Sequence, residues 1–518
     1  MTKFHSTVSR REFMTALGLT GAGLGAPAAV APAVHDLDEL MASPTSTNSL
    51  PWYVKERELM NPTTEVDWDV LKRADNRYNV QGQPTRSFYP SFAGTADRSA
   101  KGSARRDKRY ADDEPGYDLK WRALQNGRSA GGSHPAWTHA GLEETELKKA
   151  PTPAEMGKPN WTGTPEEASR LVMAAIRYYG MALVGFAELN NTYRNKLVME
   201  YTSTGNGSTN WDDPKLQNPE AWERYVYEDV PKAYREKTSA GGYKCAIPTK
   251  PLSMILFGCP QTPEARKTNA IIANTNATIP DNFHGIIESR LSKFLRSLGD
   301  YQMFGNSGHQ SMPVTAGVAT CLTGVGEQAR QNNYALSFEV GPNYNPLTLL
   351  TDLVLAPTKP IDAGMWRFCH GCAICAHQCP SNSISTDKEP TWEIPLTEGK
   401  KTLYKNPGPK LFWSNIVGCR NYTSEFDGCA PKDVLGDAGG GRSCFGVCPF
   451  GEDRAAMAHE LIRTTAAHTG IFNSFFASMA DVFGTGQAAL RPDEWWDMQL
   501  PAHGSPTHIR ATKGQWKM

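Results

Sequence analysis

The chain has 518 residues, which predicts about two to three domains, and its hydrophobic residues (39%) suffice for a sizeable core. Lys plus Arg and Asp plus Glu both number 54, so the formal net charge is +0 and no broad basic surface for nucleic acid is expected. The mean hydropathy of -0.49 and the lack of a second long apolar run argue against an integral membrane protein.

Residues 1–33 are predicted to be a cleavable export signal of the twin-arginine type. The run Ser9-Arg10-Arg11-Glu12-Phe13-Met14 precedes an Ala- and Gly-rich apolar stretch, which is typical of this signal. The alternative is an ordinary N-terminal amphipathic helix. If the signal is cleaved, the mature protein begins near Val34 and works outside the cytoplasm. With no second apolar span, we expect it to be peripheral, on the outer face of the cytoplasmic membrane.

Residues 34–160 form a polar region that is rich in Gly, Pro and Arg. Few apolar residues recur there at helical or strand spacing, so we expect mainly loops. Within this region, Lys101–Arg109 is a basic stretch, for which we predict a solvated loop.

Residues 161–356 are predicted to form a layered α+β or α/β domain. The first helix begins after the capping residue Thr164, with Pro165 at its first position, and it stops at Gly180. Further strands are predicted at Ala182–Phe186, Leu252–Phe257 and Leu347–Leu355, and an amphipathic helix at Phe283–Leu298. The Pro-rich linker that follows places a domain boundary near residue 357.

A ferredoxin-type run of cysteines carries the strongest chemical signal in the chain. It reads Cys369-x2-Cys372-x2-Cys375-x3-Cys379-Pro380. At this spacing three thiolates bind one [4Fe–4S] cube and the fourth binds a second cube. Disulfides, which export would permit, fit poorly because neighbours in Cys-x2-Cys seldom pair. The run therefore predicts two cubes.

A second group of cysteines completes the ligands for two cubes. It comprises Cys419, Cys429, Cys444 and Cys448-Pro449. Ligand counting gives cluster 1 the thiolates of Cys369, Cys372, Cys375 and Cys448, and gives cluster 2 those of Cys379, Cys419, Cys429 and Cys444. A water or another residue could replace Cys419 or Cys429. The remaining cysteines, Cys245, Cys259 and Cys321, are predicted to be buried structural thiols.

This combination resembles the respiratory reductive dehalogenases, and more specifically the catalytic subunits that chloroethene- and chloroarene-respiring bacteria export. The resemblance covers nearly the whole chain. Besides the signal and the eight clustered cysteines, it is carried by Trp161–Glu167, Gly324–Arg330, Thr351–Leu353, Ala356–Gly364, Phe472–Phe476 and Trp495–Trp496.

The resemblance implies a cobalamin-type corrinoid, bound base-off in a nitroreductase-like α+β domain (161–356). A ferredoxin-like domain with two [4Fe–4S] clusters (357–455) and a C-terminal helical or extended segment (456–518) follow. It also implies that Gly324, Gly326, Glu327 and Arg330 bind the cofactor. The Asp-x-His-x-x-Gly motif, which supplies a lower His ligand to cobalt in other corrinoid proteins, is absent from the sequence. Its absence permits base-off binding.

The implied activity is that of an exported oxidoreductase that replaces halogen by hydrogen on an organohalide, as the terminal step of anaerobic respiration. The two clusters would feed electrons to the corrinoid, which carries the carbon–halogen chemistry. The expected partners are the organohalide substrate, the twin-arginine export machinery, a small integral-membrane anchor protein and a membrane electron donor. No nucleic-acid partner is expected.

The catalytic residues of the family transfer only in part. Family members place a Tyr proton donor shortly before the long helix, and this sequence has no Tyr at that place. Asn306 matches the family's Asn, whereas Asn345 stands where an Arg is expected. Since a cation beside a phenol favours proton donation, the site needs another arrangement. Tyr344 is the first candidate donor, with His284 and Tyr301 as alternatives and Asn306 as the orienting group.

Two other functions compete with this interpretation. An epoxyqueuosine-reductase-like enzyme would also combine a corrinoid with two cubes, but it would act on tRNA in the cytoplasm, against the export signal and the neutral charge. A non-catalytic ferredoxin-type electron-transfer subunit would need no middle domain of this size. Cobalt analysis separates the hypotheses.

Overall fold

The structure is a computed structural model. It describes residues 50–80, 82–118, 150–205, 210–261, 271–305, 312–332, 335–426, 429, 443–451 and 457–479. The predicted signal at 1–33, Asn306 and Trp495–Trp496 lie outside the described residues.

Helices and strands are mixed along the chain. The strands are β1 Lys55–Glu56, β2 Leu183–Glu188, β3 Tyr201–Gly205, β4 Trp222–Glu228, β5 Tyr234–Lys237, β6 Tyr243–Pro248, β7 Ser253–Pro260, β8 Met303–Phe304, β9 Gly326–Glu327, β10 Leu336–Ser337, β11 Tyr344–Thr351 and β12 Ile361–Asp362. The helices are α1 Gln83–Phe88, α2 Thr95–Ala111, α3 Pro165–Tyr178, α4 Asn191–Lys196, α5 Pro214–Gln217, α6 Ile271–Gly299, α7 Ala316–Leu322, α8 Met365–Cys372, α9 Ile374–His377, α10 Ile416–Phe426, α11 Met457–His468 and α12 Asn473–Ser478.

A four-stranded sheet, in the order β2-β7-β11-β8, forms the centre of the molecule, and its neighbouring strands are all antiparallel. All three predicted strands are present with shifted ends, and the last of them begins at Tyr344 instead of Leu347. Strands β7 and β11 are buried along their whole length. A sheet buried on both faces needs a layer on each side, which makes the observed architecture α+β.

Separate cores cover the two faces of this sheet. Helices α3 and α6 contribute Val172, Ile176, Leu291 and Leu295 against Phe257 on one face. A second sheet, in the order β3-β4-β6-β5, shares the other core with α4 and α7. In that second sheet β4 and β6 are parallel, while the other pairs are antiparallel.

The predicted start of helix α3 agrees with the structure, whereas the predicted start of helix α6 does not. The start of α3 is confirmed, because Thr164 and Glu167 form a reciprocal capping box around Pro165. Helix α6 begins at Ile271, twelve residues before the predicted Phe283. The added part is rich in Asn and Thr and contains Pro280, which lowers its helical propensity. No described helix has the length and apolar character needed to cross a bilayer.

Helix α2 corrects the prediction of a solvated loop at Lys101–Arg109. These residues lie inside a 17-residue helix that packs against α10. Gly102 is buried at this contact, where an added Cβ would lie 2.5 Å from the carbonyl oxygen of Ser424. The Arg105 guanidinium lies 4.7 Å from the centre of the Phe426 ring. The contact uses a glycine and an arginine side chain, so no apolar stripe marks this helix in the sequence.

A third core joins segments that are far apart in the sequence. It brings Tyr53 together with Phe338, Ile361, Phe368 and Phe450. Strand β1 also pairs with β12, and α12 packs against α8. The chain after residue 357 is therefore held by residues from the N-terminal and middle segments, and the predicted domain boundaries stay predictions.

Candidate cofactor site

The four cysteines assigned to cluster 1 lie together around α8 and α9. Cys369 and Cys372 are on α8, Cys375 is on α9, and Cys448 precedes Pro449. Burial raises the pKa of the Cys369 thiol to about 11 and that of Cys372 to about 12. Burial, and after it the charges of Cys372, Cys369, Cys444 and Cys448, raises the pKa of Cys375 well above its usual range. Such thiols hold their protons until a metal cation displaces them.

The four cysteines assigned to cluster 2 line one cavity. This cavity, of about 400 Å³ with its open mouth included, is bordered by Cys379, Cys419, Cys429 and Cys444. The Ser383 amide donates to the Cys379 sulfur at 3.4 Å. The cavity's other walls include Pro380, Ile384 and Tyr422. The fold brings the members of each set together, and Cys444 of the second set also lies near Cys375 of the first. The role of these cysteines as iron ligands stays a prediction.

None of the eleven cysteines is in a disulfide. In the described part of the chain, no three His, Cys, Asp or Glu side chains converge on the position of a single metal ion. A cube places each of its four thiolates on a different iron, so its ligands surround a volume and do not meet at one point. The cavity lined by the cluster 2 cysteines is such a volume, so it suits a cube and not a single metal ion.

Two predicted cofactor residues cap the helix that carries Cys369 and Cys372. At the start of α8, the Glu327 carboxylate accepts the amides of Ala363 at 3.0 Å and Met365 at 2.9 Å. At its end, the Arg330 guanidinium donates to the carbonyls of Cys369 at 2.9 Å and His370 at 3.1 Å. These are the amides and carbonyls that a helix leaves without partners, and both charges suit the helix dipole.

Arg330 also reaches the loop that follows Cys379. It donates to the carbonyls of Ser385 at 2.8 Å and Asp387 at 2.7 Å. Its guanidinium carbon lies 3.8 Å from the centre of the Phe412 ring, and the side chain is 1% exposed. The structure therefore ties Arg330 to the two cysteine loops.

Glu327 is buried in the same region. Burial, as the largest effect, raises the pKa of its carboxyl to about 7, and the charge of Asp362 acts in the same direction. The hydrogen bonds from the α8 amides act in the opposite direction. Near neutral pH this carboxyl is therefore close to its midpoint of protonation.

The two glycines predicted to bind the cofactor lie against the protein's own backbone. A Cβ on Gly324, whose φ is +70°, would lie 2.0 Å from the Lys359 carbonyl oxygen. A Cβ on Gly326 would lie 1.8 Å from the Leu336 carbonyl oxygen, across the β9–β10 pair. Packing alone accounts for both glycines, and their predicted contact with a cofactor stays a prediction.

Tyr344 and His284, the candidate proton donors, lie in the interior. The Tyr344 hydroxyl donates to the Ala335 carbonyl at 3.0 Å and lies 3.0 Å from the Thr320 hydroxyl. His284 Nε2 lies 2.9 Å from the Asn345 carbonyl oxygen and so donates to it. These bonds count against Tyr344 as a proton donor, and its role stays a prediction. Asn306 lies outside the described residues.

Sequence reasoning missed two buried amide side chains next to these residues. Gln331 is 2% exposed, and within the described structure neither its side-chain oxygen nor its nitrogen has a hydrogen-bond partner. Asn343 is 1% exposed; its nitrogen donates to the Gly451 carbonyl at 3.3 Å, and its oxygen lacks a partner there. Buried polar atoms without partners indicate a missing ligand or water. The only sequence signal was that Gln331 adjoins Arg330.

Comparison with known proteins decides the family. Residues 49–355, more than half of the chain, match the family model of the reductive dehalogenase subunit. The chain belongs to the reductive dehalogenase family. This reductive dehalogenase is therefore an oxidoreductase that acts on carbon–halogen bonds.

Two curated relatives match this reductive dehalogenase over nearly its whole length, and a third matches over a shorter part. A chloroethene reductive dehalogenase of Dehalococcoides mccartyi strain VS is 29% identical over 97% of this chain and 99% of its own. The trichloroethene reductive dehalogenase of another strain of that species is 28% identical over 98% of this chain and 99% of its own. The tetrachloroethene reductive dehalogenase of Sulfurospirillum multivorans is 27% identical over 73% of this chain and 68% of its own.

Among solved structures, the catabolic reductive dehalogenase NpRdhA has the same fold as this reductive dehalogenase. The two superpose with a TM-score of 0.54 at 16% identity, over 87% of this chain and 52% of the other. The chain thus spans about half the length of that structure. A reductive dehalogenase structure that suggests a mechanism for B12-dependent dehalogenation matches with the same score.

Proposed function

We propose that this protein is an exported respiratory reductive dehalogenase that holds one corrinoid and two [4Fe–4S] clusters. In this proposal it replaces a halogen of a chlorinated ethene by hydrogen. The observation that carries the cofactor set is the grouping of eight cysteines into two sets of four, one around α8 and α9 and one around a single cavity. Each set matches the thiolate number that one cube requires.

The corrinoid is supported by two buried amide side chains, Gln331 and Asn343, which have atoms without a hydrogen-bond partner in the described part of the chain. The rim of a corrin ring carries several carboxamide groups, which donate and accept hydrogen bonds as the side chains of Gln331 and Asn343 do. Asn343 lies beside the Cys448 loop, because its amide nitrogen donates to the Gly451 carbonyl. Gln331 directly follows Arg330, which donates to the Cys369 carbonyl. We infer that they face the ring. When bound, the corrinoid supplies the low-valent cobalt that acts on the carbon–halogen bond.

The protein's own residues would hold the clusters, shield them from water and supply or orient the proton. The eight thiolates hold the iron, and the cores around Phe368 and Phe450 keep water away from cluster 1. Exchanging C–X for C–H consumes two electrons and one proton and releases a halide ion. The proton must come from a group within hydrogen-bond reach of the substrate. Because the Tyr344 hydroxyl is bonded to the Ala335 carbonyl, His284 or an ordered water would deliver that proton, and Asn306 would orient it.

Chlorinated ethenes are proposed as substrates because the relatives that match almost the whole chain are named for chloroethene and trichloroethene. The test is an anaerobic assay of reconstituted protein with reduced viologen against panels of chloroethenes and chloroarenes. Chloride release from an ethene supports the proposal. Turnover of chloroarenes alone would contradict the substrate class while leaving the reaction type intact.

Export is proposed from the twin-arginine run alone, with a small membrane protein as the anchor and a membrane electron donor as the source of electrons. Cell fractionation tests this: most of the protein should lie outside the cytoplasm, shortened at its N-terminus to near Val34. Full-length protein recovered mainly from the cytosol would contradict it.

A further inference from the structure

Arg330 is a buried cation beside cluster 1. Its guanidinium donates to four main-chain carbonyls, two at the end of α8 and two in the loop after Cys379. In the described part of the chain, no carboxylate forms an ion pair with it. Phe412 covers one face of the guanidinium.

A buried charge needs compensation, since leaving water without a counter-charge is costly. Carbonyl oxygens and an aromatic face solvate the guanidinium but do not neutralise it. A cube held by four thiolates is an anion, and it gains one further negative charge when it is reduced. The reduction potential of such a cluster depends on nearby charge, hydrogen bonds and solvent exposure. A fixed cation in a dry environment stabilises the more negative state most.

We propose that Arg330 sets the reduction potential of cluster 1, keeping it higher than the thiolates and the dry pocket alone would allow. The inference rests on the proposed function, because it needs the cube at Cys369, Cys372, Cys375 and Cys448. Arg330 acts through the cluster and does not touch substrate, so it is a positioning and tuning residue.

The effect should be confined to cluster 1. Arg330 donates to the main-chain carbonyls of Cys369 and His370, on the helix that carries two of the cluster 1 thiolates. Toward cluster 2, its bonds go to Ser385 and Asp387, which come after Cys379 in the sequence. The main chain bonded to Arg330 therefore includes a ligand residue of cluster 1 and none of cluster 2.

The experiment compares Arg330→Met, which removes the charge, with Arg330→Lys, which keeps it. Both proteins are purified anaerobically with their cofactors, iron per chain is counted, and each cluster's midpoint potential is measured by titration followed by electron paramagnetic resonance. In Arg330→Met we expect the equilibrium constant for reducing cluster 1 to fall about tenfold, which lowers its midpoint potential by about 59 mV for a one-electron couple. Cluster 2 should keep its potential, and in Arg330→Lys the equilibrium constant for cluster 1 should stay within about threefold of wild type.

Arg194→Met is the matched control. Arg194 also donates to three main-chain carbonyls, those of Leu189, Pro248 and Lys250, in a part of the molecule away from the cysteine loops. Its loss should leave both potentials unchanged.

Three results would overturn the inference: unchanged potentials in Arg330→Met, equal shifts in the Lys and Met variants, or equal shifts of both clusters. If Arg330→Met loses iron, Arg330→Gln replaces it, since it keeps amide donors without the charge. Loss of iron from every uncharged variant would make Arg330 a structural clamp only and also overturn the inference. Wild-type protein without iron would instead contradict the proposed function.

Discussion

Tyr344 has its hydroxyl inside the core, bonded to the Ala335 carbonyl and in contact with Thr320. Changing Tyr344 to Phe removes one buried hydrogen bond and leaves a carbonyl without its donor. We expect the free energy of unfolding to fall by about 1 kcal/mol, and the turnover number to stay within about threefold of wild type. Thermal melts and the viologen assay measure the two effects. A loss of about a hundredfold in turnover with iron and cobalt retained would restore Tyr344 as the proton donor.

Glu327 predicts a pH dependence of stability. Its carboxyl pKa rises from 4.5 to about 7 on folding, mainly through burial. The folded state therefore favours the protonated carboxyl. This contribution to the free energy of unfolding is fully present below about pH 4.5 and is lost as the pH rises through about 7. Glu327→Gln keeps an oxygen that can accept the α8 amides but does not titrate. Relative to this variant, we expect the wild-type melting temperature to fall between about pH 5 and pH 8.

Glu393→Gln is the control for this prediction, because Glu393 is exposed and lies outside the site. It should follow the wild-type pH dependence. Parallel wild-type and Glu327→Gln curves across this pH range would show that Glu327 does not titrate there.

At the level of residues, the grouping of the cysteines was predictable and the electrostatic surroundings of the two sets were not. The spacing of cysteines is local, and ligand counting alone selected the four that line the cavity. Arg330 and Glu327 act across 35 or more residues on α8, as tertiary contacts that no local pattern encodes. The sequence therefore predicted them as cofactor residues without predicting that they cap a helix.

At the level of elements, α3 and the central strands were predictable because a capping box and continuous apolar runs mark them. Helix α2 was not, since its contact with α10 is made by a glycine and an arginine side chain. The start of α6 was missed because the sequence of its first turns has low helical propensity and contains Pro280.

The contact between α2 and α10 gives a prediction about cluster 2, because α10 carries Cys419. Changing Gly102 to Ala places a Cβ 2.5 Å from the Ser424 carbonyl oxygen, so the helices must separate. We expect a destabilisation of roughly 1 to 3 kcal/mol and partial loss of iron from cluster 2. Thermal melts and iron counts measure this.

Gly317→Ala is the matched control within a helix. A Cβ there would find its nearest neighbour, the Ala335 nitrogen, at an ordinary 3.8 Å. It should be neutral or stabilise by roughly 0.5 to 1 kcal/mol, the usual gain of Ala over Gly in a helix. Equal behaviour of the two variants would mean that the α2–α10 contact is loose.

The two cysteine sets predict independent losses of iron. Cys372→Ala and Cys419→Ala should each lower the iron content from about eight to about four per chain, since each removes one ligand set. Cys372→Ala should also abolish halide release while keeping most of the cobalt. Cys245→Ala is the control, because that thiol bonds to Glu223 at 3.4 Å, outside both sets. Wild-type iron and turnover in Cys372→Ala would contradict the assignment.

At the level of the whole molecule, the segments on either side of residue 357 are interlocked. Glu327 and Arg330 reach from the middle segment to α8, Tyr53 joins the core that holds Phe368, and α2 supports α10. This arrangement packs the segment that carries the cysteines against the middle segment of the chain. A carrier of electrons alone would not need a middle segment of that size, whereas an enzyme that uses the electrons does.

Metal content of the anaerobically purified protein tests the cofactor set most directly. The account predicts about eight irons per chain for two cubes and about one cobalt per chain for the corrinoid. Eight irons without cobalt, in protein supplied with corrinoid, would identify an electron-transfer subunit and contradict the account.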